Sequence, residues 1–239
     1  MATIITTTNP LGISAGALAR LLVWLSPAYP VGAFSYSHGL EMAVEEGAVT
    51  NRVDLVTYVE AGLRLGAGSV DGGLLALSWR AAMTGDSETL DGLTELAAAW
   101  RGTKELALEA MQPGTAFASV TLSAWPEPRL AAFSARHAGR LTHAVAFGAA
   151  AAFHDIPLRE ACFGWLNAFA ANIVSAGVRL VPLGQTDGQI ATAALLPAVA
   201  AATDAALAIT SPDELGSASP VLDLFSMRHE TQYTRLFRS

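Results

Sequence analysis

Five histidines, one cysteine and a single lysine are the residues from which this chain could build a site for chemistry. Helical metal oxidases draw carboxylates from several helices and need two Glu-x-x-His pairs. Here the nearest arrangement runs the other way, with His38 and Glu41 at i, i+3, and no Glu-x-x-His occurs. The only His-Glu step is His229-Glu230, so the His-Glu-x-x-His pattern of zinc proteases is missing as well. His137 and His143 stand six apart and do not stack on one helix face. Lys104 lies in no phosphate-binding G-x-x-x-x-G-K-[ST] loop, and Gly62, Gly66 and Gly68 follow no strand that would make them a dinucleotide cradle. Cys162 is the one cysteine, which excludes an intramolecular disulfide and a cysteine-only metal site, and its apolar helical surroundings suit a buried, inert thiol. A nucleophilic serine would need a strand-to-helix elbow, and strand signals are scarce. The pattern points to a protein that binds others rather than one that transforms a substrate, with no catalytic, cofactor or metal residues assigned.

The segment Ser226–Ser239 resists that plain reading. Chain ends are usually small, polar and frayed. This one mixes Arg228, Arg235 and Arg238 with Met227, Tyr233, Leu236 and Phe237, residue types enriched where proteins meet. Two dockings are open: an amphipathic segment laid on its own domain, or one that captures a second protein.

Elements that would carry these residues are helical almost end to end. Leu18, Leu21, Leu22 and Leu25 repeat with helical spacing until Pro27. Further helices are expected at about 35–46 (closed by Gly47), after a cap at Thr50 or Asn51, and at 71–83. Leu93 to Met111 reads as one helix ending at Pro113, followed by 116–124 and 130–153. Pro157, with Asp155 as a candidate cap, opens a long apolar helix to about Leu180; another runs from Thr186 or Asp187 to Ile209, kinked at Pro197. The expected fold class is all-α: one domain of roughly eight to ten helices over 14–210, between a flexible segment 1–13 and a tail 211–239 that orders on partner binding.

Composition narrows the function classes. Charged residues make up 15% of the 239, against roughly 25% in average domains, while apolar residues reach 52%. Either much surface is covered in an oligomer or complex, or the chain is simply alanine-rich. The net charge of −7 lacks the basic footprint of a nucleic-acid binder. Residues 223–239 carry three arginines against Asp223 and Glu230, +1 overall, which leaves −8 on residues 1–222. No cation precedes Arg20, so a signal peptide's basic start is lacking and a cytoplasmic location is expected. The uncharged runs are alanine-rich and interrupted by residues such as Asn167 and Asn172, which fits buried helices better than membrane spans.

Three blocks carry a resemblance. Leu25-Ser-Pro-Ala-Tyr-Pro-Val-Gly-Ala-Phe-Ser-Tyr-Ser-His-Gly-Leu-Glu41 resembles the N-terminal signature of the UreF-type urease accessory proteins, and Arg228–Ser239 their C-terminal one. Residues 178–189, Val-Arg-Leu-Val-Pro-Leu-Gly-Gln-Thr-Asp-Gly-Gln, are similar to a third block; the stretch Met83–Glu127 is the least family-like. The resemblance implies an all-α homodimer without catalysis of its own. It would bind a UreD/UreH-type scaffold protein and recruit or regulate a UreG-type GTPase for nickel delivery to apo-urease. Nickel and GTP would then be handled by those partners, and this chain would need no cofactor. Arg228, His229, Glu230, Tyr233, Arg235, Leu236, Phe237 and Arg238 become the implied partner-binding residues, with Tyr36 a candidate to receive the tail. Gln185, Asp187 and Gln189 are candidates for a GTPase or tunnel surface, or for turn and capping roles. Rival readings are a helical metal- or haem-dependent oxidoreductase and a GTPase regulator that inserts an arginine.

Overall fold

The computed structural model describes residues 12–239. Eleven α-helices follow one another among them: α1 (Ala15–Trp24), α2 (Leu40–Glu45), α3 (Arg52–Leu65), α4 (Ala67–Thr84), α5 (Ser87–Ala99), α6 (Lys104–Ala124), α7 (Pro128–Arg136), α8 (His143–Phe153), α9 (Leu158–Leu180), α10 (Gln185–Ala208) and α11 (Pro220–His229). Single 3-10 turns occupy Ala33–Ser35 and Pro212–Glu214. No strand occurs among the described residues, and the class is all-α, in one domain. Of the N-terminal segment 1–13, residues 1–11 lie outside the described residues, while Ile13 is buried in the core.

Side-chain capping explains several of the starts. The side chains of Ser14, Asn51, Asp86 and Thr103 accept backbone N–H bonds at the beginnings of α1, α3, α5 and α6. Gly85 closes α4 with φ +73, a conformation open to glycine at little cost. Several boundaries differ from the sequence pattern. α9 and α10 have Pro157 and Gly184 at their N-caps, not Asp155 and Thr186 or Asp187, and α2 and α4 begin at Leu40 and Ala67. The apolar run Leu93–Met111 is two helices, because Thr103 caps a new one. Pro113 does not end α6, which runs through it to Ala124. The run 130–153 is broken by the turn at Gly139, where φ is +77, separating α7 from α8.

α4 and α8 form the centre. Every residue of α8 from Ala144 to Phe153 is buried, and α4 packs against α3, α5, α8, α9 and α10. Small residues set the spacing. A Cβ on Gly148 would lie 2.5 Å from the Leu75 carbonyl oxygen of α4, so only glycine permits that backbone approach. Around this pair stand Trp24, Phe117, Phe147 and Trp125, with Trp24 edge-on to the other three at ring distances of 5.4, 5.9 and 6.1 Å. α9 and α10 are long and apolar enough in composition to cross a membrane; half of the 18-residue apolar window of the first and a third of that of the second are buried, and they pack on each other and on α3 and α4.

α11 lies on α2 and α6. The contact is close: a Cβ at Gly39, where φ is +75, would come within 3.0 Å of the Ser226 nitrogen. Phe225 and Phe237 join the main core. Residues 220–239 are therefore ordered against their own domain in this structure, the first of the two dockings open in the sequence.

Candidate partner-binding site

Glu41, in the first turn of α2, is buried, and its carboxylate faces the returning chain end. Its two oxygens accept the backbone N–H groups of Leu236 at 2.7 Å and Phe237 at 2.9 Å. The same carboxylate lies 3.1 Å from Nε2 of His229, a side chain with no exposure. Nδ1 of that ring is 2.6 Å from Glu105 of α6. Arg235 reaches the other oxygen of Glu105 at 2.7 Å, so two carboxylates face one imidazole ring and one guanidinium.

A second layer fastens residues 238 and 239. Arg238 N–H donates to the Ser35 carbonyl at 2.9 Å, and Ser37 N–H donates to the Ser239 carbonyl at 3.1 Å, an oxygen that the Ser37 hydroxyl also binds. His38 N–H donates to the Ser239 hydroxyl at 3.3 Å, and that hydroxyl donates to Glu109 at 2.7 Å. These bonds need the backbone of 37–39 turned outward. His38 supplies it with φ +59, followed by Gly39, and the Tyr58 hydroxyl donates to the His38 carbonyl at 2.8 Å. Burial opposes charge on His38, but the Glu109 carboxylate, 3.3 Å away, outweighs it and raises the imidazole above its usual value. Glu109 is in turn held below the usual carboxylate range, since His38 and the Ser239 hydroxyl overcome its burial.

The implied site residues divide into inward and outward groups. Phe237 is buried under the Arg179 guanidinium, 4.4 Å from its ring centre. Arg228 pairs with Glu46 at 2.7 Å, Glu230 accepts the Lys104 backbone N–H at 3.0 Å, and Arg238 reaches Gln112 at 3.2 Å. Tyr36 is buried beside the tail and donates to the same Gln112 oxygen at 2.5 Å; burial raises its phenol while Arg238 opposes. Tyr233 and Leu236 are fully and 64% exposed, and Val221, Leu224 and Met227 of α11 are also exposed. Gln185, Asp187 and Gln189 are not bonded to this cluster: Asp187 pairs with Arg52 of α3 at 2.6 Å, and the two glutamines are exposed.

Sequence reasoning passed over Glu105, Glu109 and Gln112, although their i, i+4, i+7 spacing marks one stripe of α6. The reason is that this stripe lies in the stretch least similar to the family. The segment Gly12-Ile-Ser-Ala-Gly16 does have the spacing of a serine elbow, but Ser14 is the N-cap of α1, bonded to Ala17 N–H at 3.1 Å. Among the described residues no group of three His, Cys, Asp or Glu could hold a metal ion. What the cluster does offer is a clamp for one segment and, on its far side, an apolar row facing solvent.

Comparison with known proteins agrees with the family resemblance. The UreF family model matches residues 49–196. A urease accessory protein UreF of Granulibacter bethesdensis is 61% identical over 223 residues, 93% of this chain and 94% of that one. UreF proteins of Rhodopseudomonas palustris and Methylorubrum populi are 49% and 46% identical, covering 98% and 92% of this chain and 98% of each relative. The matched region and the full-length similarity together show that this chain belongs to the UreF family of urease accessory proteins.

Proposed function

We propose that this chain is a non-catalytic adaptor in urease maturation. It binds a UreD/UreH-type scaffold protein through its C-terminal segment. It recruits or regulates a UreG-type GTPase, so that nickel reaches apo-urease while nucleotide and metal remain with the partners. It acts as a homodimer in the cytoplasm, and Gln185, Asp187 and Gln189 are candidates for the GTPase-facing surface. One observation carries this reading: the segment 220–239 is anchored by main-chain bonds and buried ion pairs, yet turns Val221, Leu224, Met227, Tyr233 and Leu236 to solvent. Apolar and aromatic side chains displayed on a fixed backbone lose little conformational entropy on binding, which favours their use as anchors.

The test is co-purification from cells expressing the urease operon, with bound chains identified by mass spectrometry and nickel quantified. Deleting residues 228–239 should leave the helical circular dichroism in place and abolish capture of the scaffold protein. A truncated chain that still captures it in full overturns the assignment of the tail.

A further inference from the structure

Phe34 stands at the middle of the 3-10 turn Ala33–Ser35 and is 66% exposed. The turn beneath it is pinned at two carbonyls. The Arg179 guanidinium donates to that of Phe34 at 3.0 Å, and the Arg238 backbone N–H to that of Ser35 at 2.9 Å. Arg179 lies in the last turn of α9, over the Phe237 ring, and its Nε donates to the Ser175 carbonyl at 3.2 Å. Of the five N–H groups of a guanidinium, two are used in this way. The Arg238 guanidinium donates to the neutral Gln112 amide oxygen at 3.2 Å, beside the Tyr36 phenol. Both arginines are exposed, and neither reaches a carboxylate among the described residues, whereas most of the other arginines do. The acids of the neighbouring elements are matched already, Glu109 by His38 and the Ser239 hydroxyl, and Asp187 by Arg52. Burial lowers the Arg179 guanidinium below its ordinary value, with no acid to offset it. Holding the turn explains two of the Arg179 bonds. It does not explain an aromatic ring left in water beside two arginines without acids, on a chain whose net charge is −7.

We infer that Phe34, Arg179 and Arg238 form a docking surface for an acidic segment of a partner protein, one that carries an apolar side chain beside its carboxylates. A carboxylate takes the unused N–H groups of Arg179 in charge-assisted bonds, and the apolar side chain covers the Phe34 ring. The guanidinium is already fixed by the Ser175 and Phe34 carbonyls, so it loses little rotamer freedom on binding. A nucleic-acid strand offers the same charge, but the acidic chain as a whole repels a long polyanion. The inference does not rest on the adaptor reading: it is measured on the purified chain alone, and can stand where co-purification fails.

The probe is a short labelled peptide of glutamate and leucine, followed by fluorescence anisotropy on the full chain. It should bind saturably and weaken as salt rises. The same peptide with glutamine in place of every glutamate should bind roughly tenfold more weakly, the scale of one charge-assisted bond. Phe34→Ser and Arg179→Gln should each weaken the acidic peptide about two- to tenfold. Arg159→Gln removes the same charge at the other end of α9, about 30 Å away by the rise of a helix, and should leave binding unchanged. The inference is overturned if the acidic peptide fails to saturate, or if the glutamine peptide or an oligonucleotide of equal charge binds as tightly. It is overturned as well if Arg159→Gln weakens binding as much as Arg179→Gln, or if Phe34→Ser binds undiminished. Phe34→Ser alters a largely exposed side chain, so a Phe237 loosened by the Arg179 change does not shield the proposal.

Discussion

At the scale of single residues, Glu41 carries three bonds that no neighbour could replace: two backbone N–H groups of the tail and one nitrogen of His229. Glu41→Ala would leave the buried Phe237 N–H and the buried His229 ring without this partner. Breaking a buried pair by removing one partner typically costs about 3–5 kcal/mol, and the loss should appear in denaturant unfolding. Hydrogen exchange at residues 230–239 should rise to that of a frayed end in the same variant. Unchanged protection there would show that the tail is held by something else. In the sequence Glu41 was visible as half of a reversed His-Glu pair and as the end of a family block, neither of which tells what it holds. Its role depends on a chain end almost two hundred positions away, a distance over which spacing carries no information. Tyr36 and the tail were both marked by the family blocks, and the structure places them side by side.

At the scale of elements, the helical character and several starts were legible because caps and periodicity are local. Boundaries hidden within alanine-rich runs were not. The stretch 93–111 keeps its apolar period across the break at 100–103, and Pro113 looks like a stop only until α6 is seen to continue through it. Glycines pose the same difficulty. Gly92 and Gly148 look alike in sequence, but a Cβ meets nothing within 4 Å at the first and the α4 backbone at 2.5 Å at the second. Gly148→Ala should force α4 and α8 apart, losing about 1–3 kcal/mol. Gly92→Ala, exposed in α5, should gain up to about 1 kcal/mol from helix propensity alone. Paired urea denaturation curves check both signs, and equal shifts would contradict the close crossing.

At the scale of the whole molecule, buried histidines give stability a pH window. His143 is held near 4 by burial, below the ordinary imidazole value of about 6.5. Between those values the unfolded chain takes a proton that the folded chain refuses, so stability is full above 6.5 and falls as pH drops towards 4. The difference corresponds to something on the order of 3 kcal/mol, and His154, lowered by burial and Arg20, acts in the same direction. His38 works oppositely: burial resists its charge, Glu109 prevails, and its contribution is lost as pH rises through the raised value. Thermal melts across pH 4 to 9 should show both limbs, with His143→Phe flattening the acid one and His38→Gln the alkaline one. Partner capture should separate from stability altogether. Tyr233→Ser with Leu236→Ser alters only exposed side chains, so unfolding should move by about 0.5 kcal/mol or less while recovery of the scaffold protein drops. A loss of stability equal to that of Glu41→Ala would place these two side chains in the seat instead.

The two bonds to Glu41 come from the main chain of Leu236 and Phe237, groups that every non-proline residue possesses. One short stretch can therefore be read twice. The domain recognises where the backbone runs, and under the proposed function a second protein would recognise which side chains stand on it. Leu236 is then free to change with its outside reader without losing its address at home.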